Sequence, residues 1–248
     1  DNVIVNWHFG AIANYYPYSG VAFTNKGTIN INRLTPSFNA PQFLWTTFNN
    51  EGVVNLIYGY LIISGGLVNN QTTGIIDIQS DESGIAGGID GIGPIYNYGI
   101  VKKTIGTGES RICPIMENFG TIEILTGELY FCDYSYISLN NRTEGTIKGT
   151  GTFNVSQLAG YSNSGTFEPG ASPGTLTFIG DFTSTATSKL DIELNGLTQG
   201  TEYDLLVIDG NAIFNGVVNV SMGFEGSLND EFIVATTTGT ITECNLAP

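Results

Sequence analysis

Apolar and polar residues alternate along the chain in short runs that recur at regular intervals. In the run Thr121–Ile124, for example, Ile122 and Ile124 enclose Glu123. Successive side chains of a strand point to opposite faces, so this pattern predicts strands with one buried face and one hydrated face. No stretch has the 3.6-residue period of an amphipathic helix, and we therefore predict an all-β fold.

Seven of these runs begin with a glycine, followed two positions later by a buried-type apolar residue. A recurrence of 20–25 residues with short strands predicts the coils of a parallel β-helix, a solenoid whose strands stack coil on coil. The alternative is a β-sandwich with evenly spaced strands, which would not need identical residues at identical corners. The glycines are Gly27, Gly52, Gly74, Gly99, Gly120, Gly145 and Gly165, with spacings of 25, 22, 25, 21, 25 and 20 residues.

Asparagine dominates the position two residues before each glycine, where the coil must turn. Asparagine tolerates the backbone conformations of tight turns, and its amide can bond to the asparagine of the next coil. We therefore predict a structural ladder of corner amides. Its members are Asn25, Asn50, Asn97, Asn118 and Asn163, while Thr72 and Thr143 fill this column in the other two copies.

The polar column three positions after glycine alternates in charge from coil to coil. Opposite charges on neighbouring strands attract, and an exposed pair contributes about 0.2–1 kcal/mol. We predict a structural charge ladder rather than a catalytic carboxylate pair, because the central lysine would keep the acids beside it ionised. The inner column four positions after glycine is interrupted by Lys103, Gly149 and Pro169, where we expect a bulge or a change of direction. The charge ladder consists of Asp77, Lys102, Glu123, Lys148 and Glu168.

Two similar segments place cysteines nineteen residues apart, at Cys113 and Cys132. An offset of one coil puts them on neighbouring strands about 4.8 Å apart, which a disulfide can bridge. Two stacked free thiols in the core are the alternative, and the sequence leaves both open. Cys244 is the remaining cysteine of the three, and we expect it to pair beyond this sequence.

The chain divides into three predicted regions: a cap at 1–20, β-helix coils at 21–168, and terminal coils at 169–248 that continue beyond this sequence. The aromatic residues of the first region are expected to cover the open end of the core, although a sugar-binding face is the alternative. His8 is the single histidine and is interpreted as a packing or surface residue.

Residues 79–97 are predicted to form a long loop, and loops carry function more often than coils do. Asp81, Glu82 and Asp90 could together hold calcium. Their spacing fits no calcium loop, so we predict a solvated loop and no metal, cofactor or catalytic residue.

Composition narrows the range of functions. Charged residues make up 12% of the chain, about half the usual share, and the net charge is −15. This charge disfavours binding to nucleic acid or to anionic lipid. No run of 18 apolar residues is present, so no membrane span is predicted. The start of the sequence lacks a leader pattern, so we expect any signal peptide to have been removed.

The segment Pro169-Gly-Ala-Ser-Pro-Gly-Thr-Leu176 and the later segment 203–216 resemble the end of bacterial autotransporter-type passengers and large Bacteroidetes surface proteins. The resemblance covers roughly the last third of the chain. It implies a right-handed parallel β-helix, export by a secretion machinery, and a place at the cell surface. It also implies adhesion to a surface glycan or to a component of a host or neighbouring cell. It points to no catalytic residue.

Three function classes follow. The first, which we favour, is a non-catalytic structural or adhesive surface module, with its state of self-association left open. The second is a carbohydrate-active lyase or hydrolase, for which Lys102, Lys103 and Arg111 of one coil could grip an anionic polymer. The third is an ice-binding solenoid, which would need an unbroken outward threonine column. Val53, Ile75 and Ile100 interrupt that column.

Overall fold

A computed structural model describes residues 3–8, 11–13, 22–32, 42–87, 93–132, 138–158 and 160–247. Within these residues every regular element is a strand and none is a helix. In chain order the strands are β1 Ile4–Trp7, β2 Ala11–Ala13, β3 Ala22–Asn25, β4 Thr28–Asn32, β5 Gln42–Leu44, β6 Thr47–Asn50, β7 Val53–Tyr58, β8 Tyr60–Ser64, β9 Leu67–Asn70, β10 Ile75–Ile78, β11 Gly84–Gly87, β12 Ile95–Asn97, β13 Ile100–Lys103, β14 Glu109–Ile112, β15 Met116–Asn118, β16 Thr121–Ile124, β17 Glu128–Phe131, β18 Ser138–Asn141, β19 Thr146–Gly149, β20 Thr152–Asn154, β21 Gly160–Asn163, β22 Thr166–Pro169, β23 Thr175–Ile179, β24 Phe182–Thr183, β25 Lys189–Leu194, β26 Leu205–Asp209, β27 Ala212–Met222, β28 Ala235–Thr237 and β29 Ile241–Ala247.

The strands form three parallel sheets that the chain visits in turn. Sheet A runs in the order β1-β4-β7-β10-β13-β16-β19-β22-β25-β27, sheet B in the order β2-β5-β8-β11-β14-β17-β20-β23-β26-β28, and sheet C from β3 by every third strand to β21. Strands inside each sheet pair with the strand one coil earlier and one coil later, which is the topology of a β-solenoid. The predicted all-β parallel β-helix is confirmed.

The core is a narrow column of apolar side chains inside the three sheets. The predicted inward positions of sheet A lie in register, with Ile29 opposite Val54 and Ile76 opposite Val101. Each of these side chains is at most 3% exposed. Towards the last coils the core becomes aromatic. Its rings there are Phe153, Tyr161, Phe167, Phe178, Phe182 and Phe214.

Two segments differ from the structure that their composition predicted, because strand pairing with neighbouring coils makes them parts of the solenoid. The segment expected to be an irregular cap contains β1 and β2, which pair with β4 and β5 as parts of a first coil. Trp7 packs against the core there, and residues 14–20 lie outside the described part. The expected loop at 79–97 contains β11, which pairs with β8 and β14 and so completes its coil.

A ladder of seven buried asparagines joins the coils at the corner between sheets C and A. The amide nitrogen of each donates to the amide oxygen of the next at 2.7–2.8 Å, and the separations of 20–27 residues measure the coil lengths. No member is more than 6% exposed. In order, the ladder runs Asn25, Asn50, Asn70, Asn97, Asn118, Asn141 and Asn163.

The sequence alignment of this column is wrong at two coils. Asn70 and Asn141 occupy the ladder, whereas Thr72 and Thr143 are exposed. In both coils the corner holds two extra residues between the asparagine and the glycine. The extra residues bulge into solvent, and this keeps Asn70 and Asn141 in the ladder. If either asparagine were displaced, the buried amide groups of its two neighbours would lose their hydrogen-bond partners.

Lys103 lies in the core without disturbing the strand, so the bulge expected there is absent. It stays in register between Ile78 and Ile124 and is fully buried. Its ammonium group donates to the Asp81 carboxylate at 3.0 Å, to the Ser110 hydroxyl at 3.0 Å and to a backbone carbonyl at 3.1 Å. These three acceptors use all three donors of the ammonium group, which allows a charged group at a core position.

At Gly149 and Pro169 the parallel ladder does change. Gly149 has φ +123° and bridges Gly170 in an antiparallel sense, and the chain leaves sheet A after Pro169 to form a loop at 170–174. The change of direction expected at these two positions is therefore present.

Cys113 and Cys132 form a disulfide between neighbouring coils, with their Cα atoms 4.7 Å apart. Both residues are buried, and Tyr130 and Leu158 pack against them. Disulfides persist in oxidising compartments, so this bond indicates that the chain resides in one. Cys244 is free and exposed.

Candidate functional site

The outer face of sheet A carries the charge ladder in the predicted order. Asp77, Lys102, Glu123 and Lys148 occupy facing positions on successive strands. Ion pairs join Lys102 to Asp77 at 3.8 Å and Lys148 to Glu123 at 3.6 Å. These pairs are partly solvated, so each contributes at most about 1 kcal/mol. The charged groups of most ladder members are therefore already paired with one another.

A groove of about 600 Å³ opens on this face where the ladder ends. One wall is the loop 170–174, which begins where the chain leaves β22. The floor is formed by the outward side chains of β19, β22, β25 and β27, because outward positions of stacked strands lie side by side. The charged residues that line it are Glu123, Lys148, Glu168, Asp191, Glu193 and Asp204. Five acids and one lysine make the groove acidic.

Three of these carboxylates are held by the fold. Asp204 is 2% exposed and accepts the backbone N–H groups of Gly174 at 2.9 Å and Glu193 at 2.8 Å. Glu193 accepts the hydroxyl of Ser172 at 2.7 Å. Asp191 accepts the amide of Asn219 at 2.7 Å. Asp204 and Glu193 together fasten the loop 170–174 to β25.

The loop can approach Asp204 closely because of a glycine. Gly170 has φ +97°, a conformation that other residues rarely adopt. A Cβ atom at Gly170 would lie 2.4 Å from Oδ1 of Asp204. Gly170 therefore allows the wall of the groove to bend towards Asp204.

Glu168 lines the groove, and the described residues leave its carboxylate without a hydrogen bond or ion pair. Burial raises its pKa, Lys148 opposes this, and the nearby Asp191, Glu193 and Asp204 raise the pKa further. Burial likewise raises the pKa of Asp204, against the two N–H bonds that lower it. The groove therefore favours proton uptake by Glu168.

This arrangement has one catalytic possibility. Glu168 follows Phe167 and Asp191 follows Leu190, and Phe167 and Leu190 are the last pair that joins β22 to β25. The charge of Asp191 lies near enough to raise the pKa of Glu168. Retaining glycosidases place their two carboxyl groups roughly 5–5.5 Å apart and raise the pKa of the acid. Asp191 is already bound to Asn219, which competes with a nucleophilic role.

The cationic residues proposed for a carbohydrate-active site do not come together. Lys102 points outward from sheet A, Lys103 points into the core, and Arg111 points outward from sheet B. Arg111 lies 5.5 Å from the ring centre of Tyr130 and pairs with Glu109. One coil therefore sends its three cations in three directions, and they form no grip for an anionic polymer.

The carboxylates considered for calcium are also accounted for in part. Asp81 pairs with Lys103, and this hydrogen bond lowers the pKa of Asp81. Asp90 lies outside the described residues. Among the residues with described positions, no group of three or more His, Cys, Asp or Glu side chains could hold a metal ion.

Sequence reasoning found Glu168 as a ladder member but missed Asp191, Glu193 and Asp204. The signal that could have found Asp191 is the column itself, since the next coil places it after Glu168. That coil begins with Ser188 in place of the usual glycine, which hides the repeat. Asp204 lies immediately before β26 of sheet B, and no periodic pattern points to it.

Comparison of the chain with protein-family models, with curated proteins and with solved structures gives no significant match. Among the described residues, no helix has the length and apolar character needed to cross a membrane.

Proposed function

We propose that this chain is a non-catalytic structural and adhesive module of a secreted bacterial cell-surface protein. In this proposal the solenoid is a rod that presents its side faces to a surface glycan or to a component of a host or neighbouring cell. A secretion machinery exports it.

The observation that carries the proposal is the buried ladder of seven asparagines. Its amide bonds tie consecutive coils together without a break from Asn25 to Asn163, as expected of a stiff spacer. The disulfide adds a covalent tie and agrees with residence outside a reducing cytosol. The low charged fraction and the resemblance at 169–176 give further support.

A binding assay tests this function directly. The purified chain is labelled and applied to a glycan array and to intact bacterial and host cells. We expect retention on at least one glycan or cell type, with no new reducing ends in the bound polysaccharide. If the chain bound none of the glycans or cells offered, the result would count against the adhesive role.

The second candidate is a glycoside hydrolase that uses the acidic groove. The observation in its favour is the raised pKa of Glu168 beside Asp191. In this alternative Glu168 is the general acid, and the polymer lies along the outer face of sheet A.

Release of reducing sugar from acidic and neutral polysaccharides separates the two candidates. Glu168→Gln keeps the shape of the side chain and removes its proton. Glu144→Gln is the matched control, because Glu144 is an exposed carboxylate at a corner outside the groove. Turnover that survives Glu144→Gln and disappears in Glu168→Gln would replace the structural proposal with the enzymatic one.

A further inference from the structure

A second groove, of about 500 Å³, lies on the outer face of sheet B, and the disulfide forms part of its lining. In β14 the inward residues Ser110 and Ile112 are fully buried, so the alternation of the strand places Cys113 on the outer side. Cys113 and Cys132 accordingly form a small cluster of their own, apart from the apolar core of the solenoid. They remain 8% and 5% exposed, which leaves the disulfide open to a ligand in this sheet B groove.

The sheet B groove has an apolar strip with polar groups on either side. The strip consists of the disulfide and the ring of Tyr130, which packs against it. On the side of the preceding coil, Arg111 lies in register with Tyr130 and pairs with Glu109. On the side of the following coil, Ser156 and Gln157 lie in the turn after β20. An apolar surface with a few convergent polar groups is the usual composition of a ligand site.

Several of these polar groups can still form hydrogen bonds. The side chains of Arg111 and Glu109 are 49% and 36% exposed. Their mutual hydrogen bond uses Nε of Arg111, so the other N–H groups of the guanidinium are available to a ligand. The side-chain amide of Gln157 makes no hydrogen bond to any described residue. The groove therefore offers both donors and acceptors beside the apolar strip.

Charge and strand pairing restrict what can occupy the groove. Its charged residues are Glu109 and Arg111, which neutralise each other, and the chain as a whole carries a net charge of −15. An anionic ligand would therefore be repelled by the chain and would find a cation that is already paired. A peptide strand cannot add here, because β14 pairs with β11 and β17, and β17 pairs with β14 and β20. The ligand must be neutral and must be held by side chains.

We propose that the sheet B groove is the site at which this chain binds a neutral glycan. A sugar ring has C–H groups on its faces and hydroxyl groups around its edge, which matches an apolar strip between polar groups. The ring lies against Tyr130 and the disulfide, Arg111 and Gln157 donate to its hydroxyl groups, and Glu109 accepts from them. This inference rests on the adhesive function proposed above and assigns its ligand class and its site.

Titration calorimetry tests the site and the ligand class together. The probes are neutral hexasaccharides of glucose, galactose, mannose or N-acetylglucosamine, with a hexasaccharide of galacturonic acid as the anionic comparison. We expect at least one neutral probe to bind and the anionic one not to bind. Tyr130→Ala should then weaken binding at least about tenfold, as expected when a buried aromatic contact is removed. Gln157→Ala, at an exposed position, should weaken it about fivefold, since one hydrogen bond is lost.

Tyr96→Ala is the matched control for Tyr130→Ala. Tyr96 is a half-buried tyrosine that points outward from sheet C, on a different face of the solenoid. This variant should bind the neutral probe as the parent chain does. Circular dichroism shows that each variant keeps its β structure before its affinity is compared.

The disulfide provides a second measurement that needs no change in the groove. In a Cys244→Ser background, dithiothreitol reduces the bond between Cys113 and Cys132 in the folded chain, and the initial rate is followed with and without a saturating neutral hexasaccharide. A sugar bound in the groove covers the disulfide and should slow this reaction. An unchanged rate with the sugar bound would place the binding site elsewhere and overturn the proposal.

The outcomes separate this inference from the adhesive function itself. If the parent chain is retained on cells or on acidic glycans but binds no neutral hexasaccharide, the ligand class is wrong and the adhesive function stands. If a neutral probe binds Tyr130→Ala and Gln157→Ala as tightly as the parent chain, the site is wrong. If the parent chain binds no glycan and no cell, the adhesive function fails, and this inference fails with it.

Discussion

Replacing a central rung of the buried amide ladder is expected to destabilise the solenoid more than the same change in a solvated ladder. Asn97 is the rung to replace by alanine. It is fully buried, donates to Asn118 at 2.7 Å and to the Thr121 carbonyl at 3.1 Å, and accepts from Asn70 at 2.7 Å. All three bonds are lost in Asn97→Ala.

The cost follows from what is left behind. The amide oxygen of Asn118 loses its donor in a dry site, which costs about 1–3 kcal/mol. The Asn70 amide keeps two backbone carbonyls as acceptors, at 3.2 and 3.1 Å, so its loss and that of the Thr121 bond add about 1 kcal/mol each. We expect a total of about 3–5 kcal/mol.

Asn30→Ala is the matched control. Asn30 also sits in an amide ladder, donating to Asn6 at 2.9 Å and accepting from Asn55 at 2.8 Å, but on the outer face of sheet A. Water can replace these partners, so the expected loss is below about 1 kcal/mol. The two variants remove the same side chain and the same ladder bonds in dry and wet surroundings.

Urea unfolding followed by far-ultraviolet circular dichroism measures both losses. With a slope of about 3 kcal/mol per M, Asn97→Ala should lower the midpoint by about 1 M or more, and Asn30→Ala by less than about 0.3 M. Equal midpoints for the two variants would refute the reasoning. The corner asparagines would then serve backbone conformation alone.

Four further predictions concern stability. Reducing the disulfide, which links residues 19 apart, should lower the free energy of unfolding by about 3 kcal/mol and so lower the urea midpoint. An unchanged midpoint would show that the disulfide does not stabilise the coils. Asp81→Ala, which leaves the buried Lys103 ammonium without its counter-charge, should lower the midpoint more than Lys103→Met, and the reverse order would contradict the assigned pairing. The buried hydroxyl of Tyr161 has no hydrogen-bond partner among the described residues, so Tyr161→Phe should raise stability by about 1 kcal/mol, and a loss would reveal a partner. The pKa values of Glu168 and Asp204 are raised in the folded state, so the native chain binds more protons than the unfolded chain. Their contribution to the free energy of unfolding should therefore become more favourable as pH falls towards 4.5. Glu168→Gln should weaken this dependence, which is measured as the urea midpoint against pH.

Several features were predictable because they are local and repeated. The alternation of apolar and polar residues determined which side chains of Thr121–Ile124 face inward, and the spacing of the glycines determined the length of each coil. The one-coil offset placed Cys113 opposite Cys132. The outward charge ladder followed from the same counting, since a fixed number of residues after each corner gives a fixed face.

Other features escaped the sequence because they depend on neighbours from distant coils. The ladder takes Asn70 rather than Thr72 since the buried amides above and below require a partner, and the corner bulges to supply it. Lys103 can be buried because Asp81 and Ser110, from other parts of the coils, reach its ammonium group.

By itself, then, the sequence determined the strands, their inward faces and the winding of the chain, because backbone alternation and turn chemistry act over a few residues. Only the tertiary structure decided how the acidic groove is made, because Glu168 lies in β22, Asp191 lies in β25 and Asp204 lies in the segment that leads into β26. Their proximity arises when the loop 170–174 is bent over them, and the pKa of Glu168 is raised only once that burial and those neighbouring charges are in place.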